Sequence, residues 1–403
     1  MGLVQGFSVV RSRCRRRRWG PSPWIGVALC LCLAAAGAAP SVWAQEAPPA
    51  ADTTDSDTPD TVSKGSWLPI PIFITEPAIG IGLGAALGYI HPRAEEAGTL
   101  STVATPQSVG GTGSGRKRPP DISGVAAGYT DNDTWAAGVG HSASWRRDRI
   151  RYVGAAAYAD INASLYPADR ELGFNLEGTF LFQDVKLRLG SSDFFLGGKL
   201  FALDTETAFR IQAPSEPPLP HWEGDYQDVG LAVQGYFDAR DNTFTPNRGQ
   251  LFTLDVWRYD EALGGDFSYW RANLEAQSFH QLHPRFVLGL RLDASAASGD
   301  PPFWGFPWIT LRGVPAMRYQ NELVGVVEIE GRWNVLRRWA LVGFFGKGAT
   351  AGDTVVFEDA NDVDAIGAGV RYLYLPDLDL WVGADVAWGP EDTAWYIQVG
   401  HAW

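Results

Sequence analysis

From Gly80 onward the chain breaks into runs of about 9 to 17 residues in which apolar side chains alternate with polar or small ones, separated by clusters of Gly, Asp, Asn and Pro. The alternation is sharpest in the second half. Phe286, Leu288, Leu290, Leu292 and Ala294 alternate with Val287, Gly289, Arg291, Asp293 and Ser295, and Trp270, Ala272, Leu274 and Ala276 with Arg271, Asn273, Glu275 and Gln277. In 322–335, Leu323, Gly325, Val327, Ile329, Gly331, Trp333 and Val335 share one face of a strand, and Glu328, Glu330, Arg332 and Asn334 share the other. The pattern predicts strands at 80–91, 122–131, 134–145, 149–160, 172–189, 193–209, 225–238, 249–260, 266–280, 285–297, 322–335, 339–349, 363–375, 379–388 and 394–403. A closed bacterial barrel has an even number of strands, so 67–75 supplies a sixteenth, an irregular edge strand carrying Pro69 and Pro71. Fourteen strands is the alternative count.

Strands with charge on one face and grease on the other suit either a soluble sandwich or a membrane barrel turned inside out. Length favours the barrel, since a spanning strand needs about 9 to 11 residues and globular strands average about 5 to 6. Backbone groups in lipid must pair within the protein, and a closed barrel satisfies that demand with strands. The expected fold is therefore all-β, a transmembrane antiparallel barrel. Trp257, Trp270, Trp333, Trp339, Trp381 and Trp388 lie at or near strand ends, where an indole sits well at the headgroup level.

The start of the chain agrees with export. Arg11, Arg13 and Arg15 to Arg18 form a basic leader, Trp24 to Ala39 an apolar core, and Val42-Trp43-Ala44 a cleavage site before Gln45, so residues 1–44 read as a signal peptide. All three cysteines, Cys14, Cys30 and Cys32, fall inside it, which leaves the processed chain without thiols. Residues 45–65 are rich in Pro, Ala, Asp and Thr and lack large apolar side chains; they read as a disordered periplasmic tether, and 66–403 as the barrel. Removing a leader with six arginines and no acids takes the formal charge from −13 to about −19, a balance unsuited to nucleic acid.

Candidate chemistry is sparse. The histidines are His91, His141, His221, His280, His283 and His401, each near a strand end, a turn or the end of the chain. His141 and Ser142 are adjacent, but neighbours in a strand point to opposite faces, so no catalytic set is assigned and the chain reads as a non-enzyme. No Cys-x-x-Cys, His-Glu-x-x-His or phosphate-binding glycine loop occurs, and no metal or cofactor is expected. Residues 110–118 combine glycines with Arg116, Lys117 and Arg118; the readings are a solvated linker or a basic tip that touches anionic lipid headgroups.

Three stretches carry a family resemblance. Asp238-Ala239-Arg240-Asp241-Asn242, with Pro246-Asn247-Arg248-Gly249 and the strand that follows, resembles the hairpin of the bacterial surface antigen, or BamA/TamA, family of outer-membrane barrels. Leu311-Arg312-Gly313-Val314 resembles that family's Val-Arg-Gly-Phe/Tyr loop, and five predicted strands follow it. The last strand, with Val399, Gly400 and the final aromatic Trp403, resembles the C-terminal β-signal by which such barrels are recognised for assembly; in it Trp395, Ile397, Val399, His401 and Trp403 fall on one face.

The resemblance implies a sixteen-stranded barrel in a Gram-negative outer membrane, with outer-membrane lipid and the barrel assembly machinery as partners. It also implies a loop folded into the lumen, where the arginine pairs with wall carboxylates; Glu328, Glu330 and Asp385 are the candidates to meet Arg312. A planar, permanently charged fork suits that role. The chain departs from the family at Phe344-Phe345-Gly346-Lys347-Gly348, where Gly346 stands at the usual aspartate position. Members that handle clients carry repeated periplasmic domains, and here only the short tether precedes the barrel. The expected function is an accessory role in outer-membrane assembly or in lipid and protein organisation; the alternative is a passive diffusion channel that favours cations.

Overall fold

The structure is a computed structural model that describes residues 65–76, 78–92, 121–167, 171–209, 223–354, 357, 359–376, 379–391 and 393–403. The expected signal peptide, nearly all of the tether, the basic glycine loop and His221 lie outside the described residues. No described helix is long and apolar enough to cross a membrane.

Sixteen strands follow one another in chain order: β1 (Ser66–Glu76), β2 (Gly80–Ile90), β3 (Ile122–Thr130), β4 (Trp135–Trp145), β5 (Ile150–Leu165), β6 (Leu172–Arg188), β7 (Phe194–Phe209) and β8 (Gly224–Asp238). The second half holds β9 (Gly249–Tyr259), β10 (Tyr269–His283), β11 (Phe286–Gly299), β12 (Leu323–Asn334), β13 (Trp339–Ala351), β14 (Val363–Leu375), β15 (Leu380–Trp388) and β16 (Thr393–Val399). Each pairs antiparallel with its sequence neighbours, so the sheet is one meander, β1 to β16. The sheet curls until β1 and β16 lie side by side, but no ladder joins these two among the described residues. The barrel is nearly closed, with a seam.

Burial is inverted relative to a soluble protein. On β12, Leu323 and Trp333 expose 52% and 54% of their surface, while Glu328 and Arg332 between them are buried. The same inversion runs through β8 and β9, where Leu231, Val233, Phe252 and Leu254 face out and Asp228, Gln234, Thr253 and Asp255 face in. Inward charges meet opposite charges: Lys199 Nζ is 2.6 Å from Asp255, Lys186 Nζ is 2.5 Å from Asp184, and Arg240 Nε is 3.0 Å from Asp238. A wall greasy outside and ion-paired inside needs lipid around it.

The strands β5 to β8 are 16, 17, 16 and 15 residues long, more than a bilayer requires. Their surplus restores aqueous polarity. Asp160, Glu177, Glu206 and Asp225 stand in one cross-strand row on the outer face. Behind them Leu165, Phe174, Leu176, Phe180, Leu203 and Phe209 pack into an apolar core. Phe303 and Phe306 of the β11–β12 loop, together with Phe357, complete that core and fill this mouth of the barrel.

Two expectations about aromatic positions change. Trp270, Trp333, Trp339 and Trp388 do face outward, but Trp257 and Trp381 are buried inside. Trp257 stacks on Tyr259 on the inner wall, and the Trp381 Nε1 donates to Asp379. A strand-end position fixes the level of a side chain and leaves open which face it takes. The face reading of the last strand also stops early. β16 ends at Val399, Gly400 adopts φ +82°, and the chain turns into the barrel, so that His401 and Trp403 are buried while Trp395 and Ile397 remain outside.

Candidate functional site

The loop 300–322 leaves β11 through Pro301 and Pro302 and makes a short 3-10 turn at Phe303–Gly305. Its apolar residues draw it inward: Ile309, Leu311 and Val314 pack against Val324, Val326, Val363 and Ala365. Backbone groups that would otherwise be stranded are met by Gln320, whose amide donates to the carbonyls of Phe303 and Phe306 at 3.0 and 3.4 Å. At Gly313 the backbone has φ +95°, and a Cβ there would lie 3.0 Å from the Gly389 nitrogen. Left-handed backbone and close approach to the β15–β16 turn both call for glycine.

These constraints aim Arg312 at the inner wall. Its Nε donates to Glu328 Oε1 at 3.0 Å, and its Nη2 also contacts Glu328. Its Nη1 donates to Asp385 Oδ2 at 2.9 Å. Glu330 Oε2 lies 2.8 Å from Nη2 as an ion pair without aligned hydrogen-bond geometry. The guanidinium also stacks on Phe344, its Cζ 3.4 Å from the ring centroid. Burial alone would push the Arg312 guanidinium down, but Glu328, Glu330 and Asp385 outweigh it and hold the charge above its ordinary range. The network extends further: Asp385 accepts from both Arg371 nitrogens, and Glu328 meets Arg291 Nη1 at 3.4 Å. Gly346 faces this cluster. A Cβ there would come within 2.5 Å of Leu311 Cδ2, so the loop itself fills the space a side chain would need.

The same loop reaches both edges of the seam. The Gly313 N–H donates to the Tyr396 hydroxyl on β16 at 2.8 Å, and the Ala316 N–H donates to Glu76 Oε1 on β1 at 3.0 Å. Arg318 Nε adds a 3.0 Å contact to Glu391 in the turn before β16.

At the opposite end of the barrel, the β8–β9 turn is built around its acids. Asp238 Oδ1 accepts from Arg240 Nε at 3.0 Å, and its other oxygen lies 3.3 Å from Arg151 Nη1. Asp241 Oδ1 closes the turn by accepting from the N–H groups of Asn247 and Arg248 at 2.9 and 3.2 Å. Arg332 Nη2 reaches across to the Pro246 carbonyl at 3.3 Å. Gly249 has φ +107°, with the Ala239 carbonyl 2.2 Å from where a Cβ would be. Onto this turn fold the last residues. His401 N donates to the Phe244 carbonyl at 2.7 Å, His401 Nε2 is 3.2 Å from Arg240 Nη1, and the Trp403 ring lies against Phe279 at 5.8 Å. Burial, then Arg240 and Arg332, hold the His401 imidazole well below its ordinary range.

Residues 128–303 match the Omp85 superfamily domain. Over that stretch, which takes in β4 to β11, the chain is similar to the Omp85 superfamily. Solved structures share its fold. One is BamA from Haemophilus ducreyi lacking POTRA domains 1–3, at 9% identity and TM-score 0.53, with 84% of this chain and 70% of that one covered. CdiB from Acinetobacter baumannii matches at 10% identity and TM-score 0.52, covering 83% of this chain and 59% of that one. CdiB from Escherichia coli matches at 11% and 0.56, covering 86% and 64%. The chain thus spans less than two thirds of either CdiB. No curated protein matches it by sequence. A barrel with this outward grease, similar to the Omp85 superfamily over 128–303, is a protein of the Gram-negative outer membrane.

Several residues of this site were not singled out by pattern. Arg371, Arg291, Phe344, Tyr396 and Glu76 come from five different strands, and alternation marks them only as inward positions. For Arg371 and Arg291 a signal existed: each is a charged residue within an alternating apolar run, on the same inward parity as the wall acids.

Proposed function

We propose that this barrel serves outer-membrane assembly or the organisation of lipid and protein there, with the 300–322 loop pinned in the lumen by Arg312 as the part that holds the seam. The observation that carries the reading is the pair of bonds from Gly313 to Tyr396 and from Ala316 to Glu76: one loop segment ties the two strands that no ladder ties. An unladdered strand edge in lipid is costly unless something holds or uses it, since its N–H and C=O groups lack partners. A passive channel needs no such edge. The pairing of wall acids with lysines and arginines also argues against a net acidic lumen that would select cations.

In the same reading, residues 1–44 are the export signal, 45–65 the periplasmic tether, and the β16 end around Val399, Gly400 and Trp403 the segment read by the assembly machinery during insertion. The experiment is removal of the protein from its host, with restoration by wild type or Arg312→Ala. The outer-membrane protein profile and surface-exposed phospholipid are quantified alongside bilayer conductance of the purified barrels. The reading expects membrane composition to change on removal and to be restored by wild type only, with Arg312→Ala raising conductance. Unchanged composition together with high, Arg312-independent conductance would establish the channel instead.

A further inference from the structure

On the outer wall beside the seam, three neighbouring strands place a serine between two histidines. Tyr89 of β2, Ser123 of β3 and His141 of β4 stand in one cross-strand row, and His91 follows Tyr89 by two positions on the same face. The adjacent row is Leu87, Val125 and Val139, all exposed on the lipid-facing wall. The polar row therefore begins one step, about 7 Å, beyond the apolar band. Ser123 Oγ is 2.8 Å from His91 Nε2 and 2.8 Å from His141 Nδ1. A hydroxyl has one proton, so it donates to one ring and accepts from the N–H of the other. Either way one imidazole N–H is left with no hydrogen-bond partner among the described residues, pointing away from the serine.

Aromatic rings surround the group. Tyr89 lies 5.0 Å from His91, Trp67 lies 4.8 Å from Tyr89, Tyr152 lies 6.1 Å from His141, and Trp145 stacks on Tyr152 at 5.7 Å. Such rings sit where headgroups meet acyl chains. The ordinary account of a polar strand end is solvation, and it gives no reason for two imidazoles to converge on one hydroxyl at that level. We propose that His91, Ser123 and His141 form a phosphate site for a membrane lipid on the outer wall. The imidazole N–H that points away from the serine donates to a phosphate oxygen, Ser123 holds the two rings in place, and the flanking Tyr89, Trp67 and Trp145 rings lie along the glycerol. Ser278 and His280 on β10, 2.8 Å apart and on the outer wall, supply one imidazole only and serve as an internal control.

The test is native mass spectrometry of the full barrel in detergent with dioleoyl phosphatidylglycerol, with dioleoyl phosphatidylcholine, and with sodium phosphate as competitor. Wild type and His280→Gln are expected to retain phosphatidylglycerol about tenfold more than the His91→Gln/His141→Gln pair, as loss of charge-assisted donors predicts, with phosphatidylcholine, which carries the same phosphodiester, falling in the same direction. Ser123→Ala is expected to fall between, and it replaces the double variant if that variant lacks the heat-modifiable band of a folded barrel. Equal retention by wild type and the histidine variants would overturn the site. Full displacement by millimolar phosphate would make it a free-anion site, and covalent labelling of Ser123 by a fluorophosphonate would make the serine a nucleophile; either contradicts a lipid-binding role.

Discussion

Replacing Arg312 with methionine keeps much of the side-chain volume and removes the charge that three carboxylates face. The magnitude follows from which partners survive. Asp385 keeps Arg371, and Glu328 keeps Arg291 at 3.4 Å, but Glu330 loses the 2.8 Å ion pair it makes to Arg312. Removing one member of a buried ion network costs about 3–5 kcal/mol because an uncompensated charge stays behind. Two of the three acids retain a cation, which places the expectation near the lower end; loss of the stack on Phe344 adds about 1 kcal/mol. The expected loss is about 3–4 kcal/mol in the unfolding free energy of the detergent-folded barrel, read from the urea midpoint by tryptophan fluorescence. Arg312→Lys keeps the charge without the fork and is expected to lose about half as much. Adding Glu330→Gln to Arg312→Met is expected to recover part of the deficit, because the stranded charge is then gone. An Arg312→Met barrel within about 0.5 kcal/mol of wild type would refute the reasoning, since that is the range of a surface change.

Two further outcomes follow from the same structure. His401 has its pKa depressed below the ordinary 6.5, so the unfolded chain binds a proton that the folded chain refuses. Stability is then full above pH 6.5 and falls as the pH drops, by at most about 1.4 kcal/mol per pH unit, and His401→Gln should flatten the slope in a urea titration between pH 7 and pH 5. Gly346→Asp restores a carboxylate at the position where the resembling family has one, but its Cβ would collide with Leu311; the expected result is a loop more accessible to protease than in wild type, and unchanged cleavage would contradict the packing described.

The strands were legible because a lipid-facing wall allows only one periodicity, and inward polar residues mark it strand by strand. Even the proline-bearing β1 follows this logic. Its ladder with β2 runs unbroken from Ser66 to Glu76 through Pro69 and Pro71, which lie two apart and so turn their missing N–H groups to the same edge, the seam. Alternation fails where the environment stops being lipid. It cannot tell that β5 to β8 outrun the bilayer and enclose Phe174 and Phe303, nor that Trp257 and Trp381 belong to the inner wall, because a period of two assigns residues to a common face without saying what that face meets. The turn at Gly400 was hidden for another reason: the last strand keeps its alternation in the sequence after the backbone has left the sheet. In the lumen, Arg312 and the acids on β12 could be named from one stretch of chain. Phe344, Arg371, Tyr396 and Glu76 could not, since only closure of the meander brings β1, β13, β14 and β16 to that loop.

The central claim is that one loop, fixed by Arg312, holds the two edges of the seam together. The chain from β1 onward has no cysteine, so spin labels can be placed on the outer wall at Phe73→Cys of β1 and Trp395→Cys of β16 without competing sites. Pulsed electron–electron resonance in nanodiscs then reads the distance across the seam. The account predicts a narrow distribution in the otherwise native barrel and a broader, longer one with Arg312→Ala. Identical distributions, with the loop released but the seam unmoved, would contradict it.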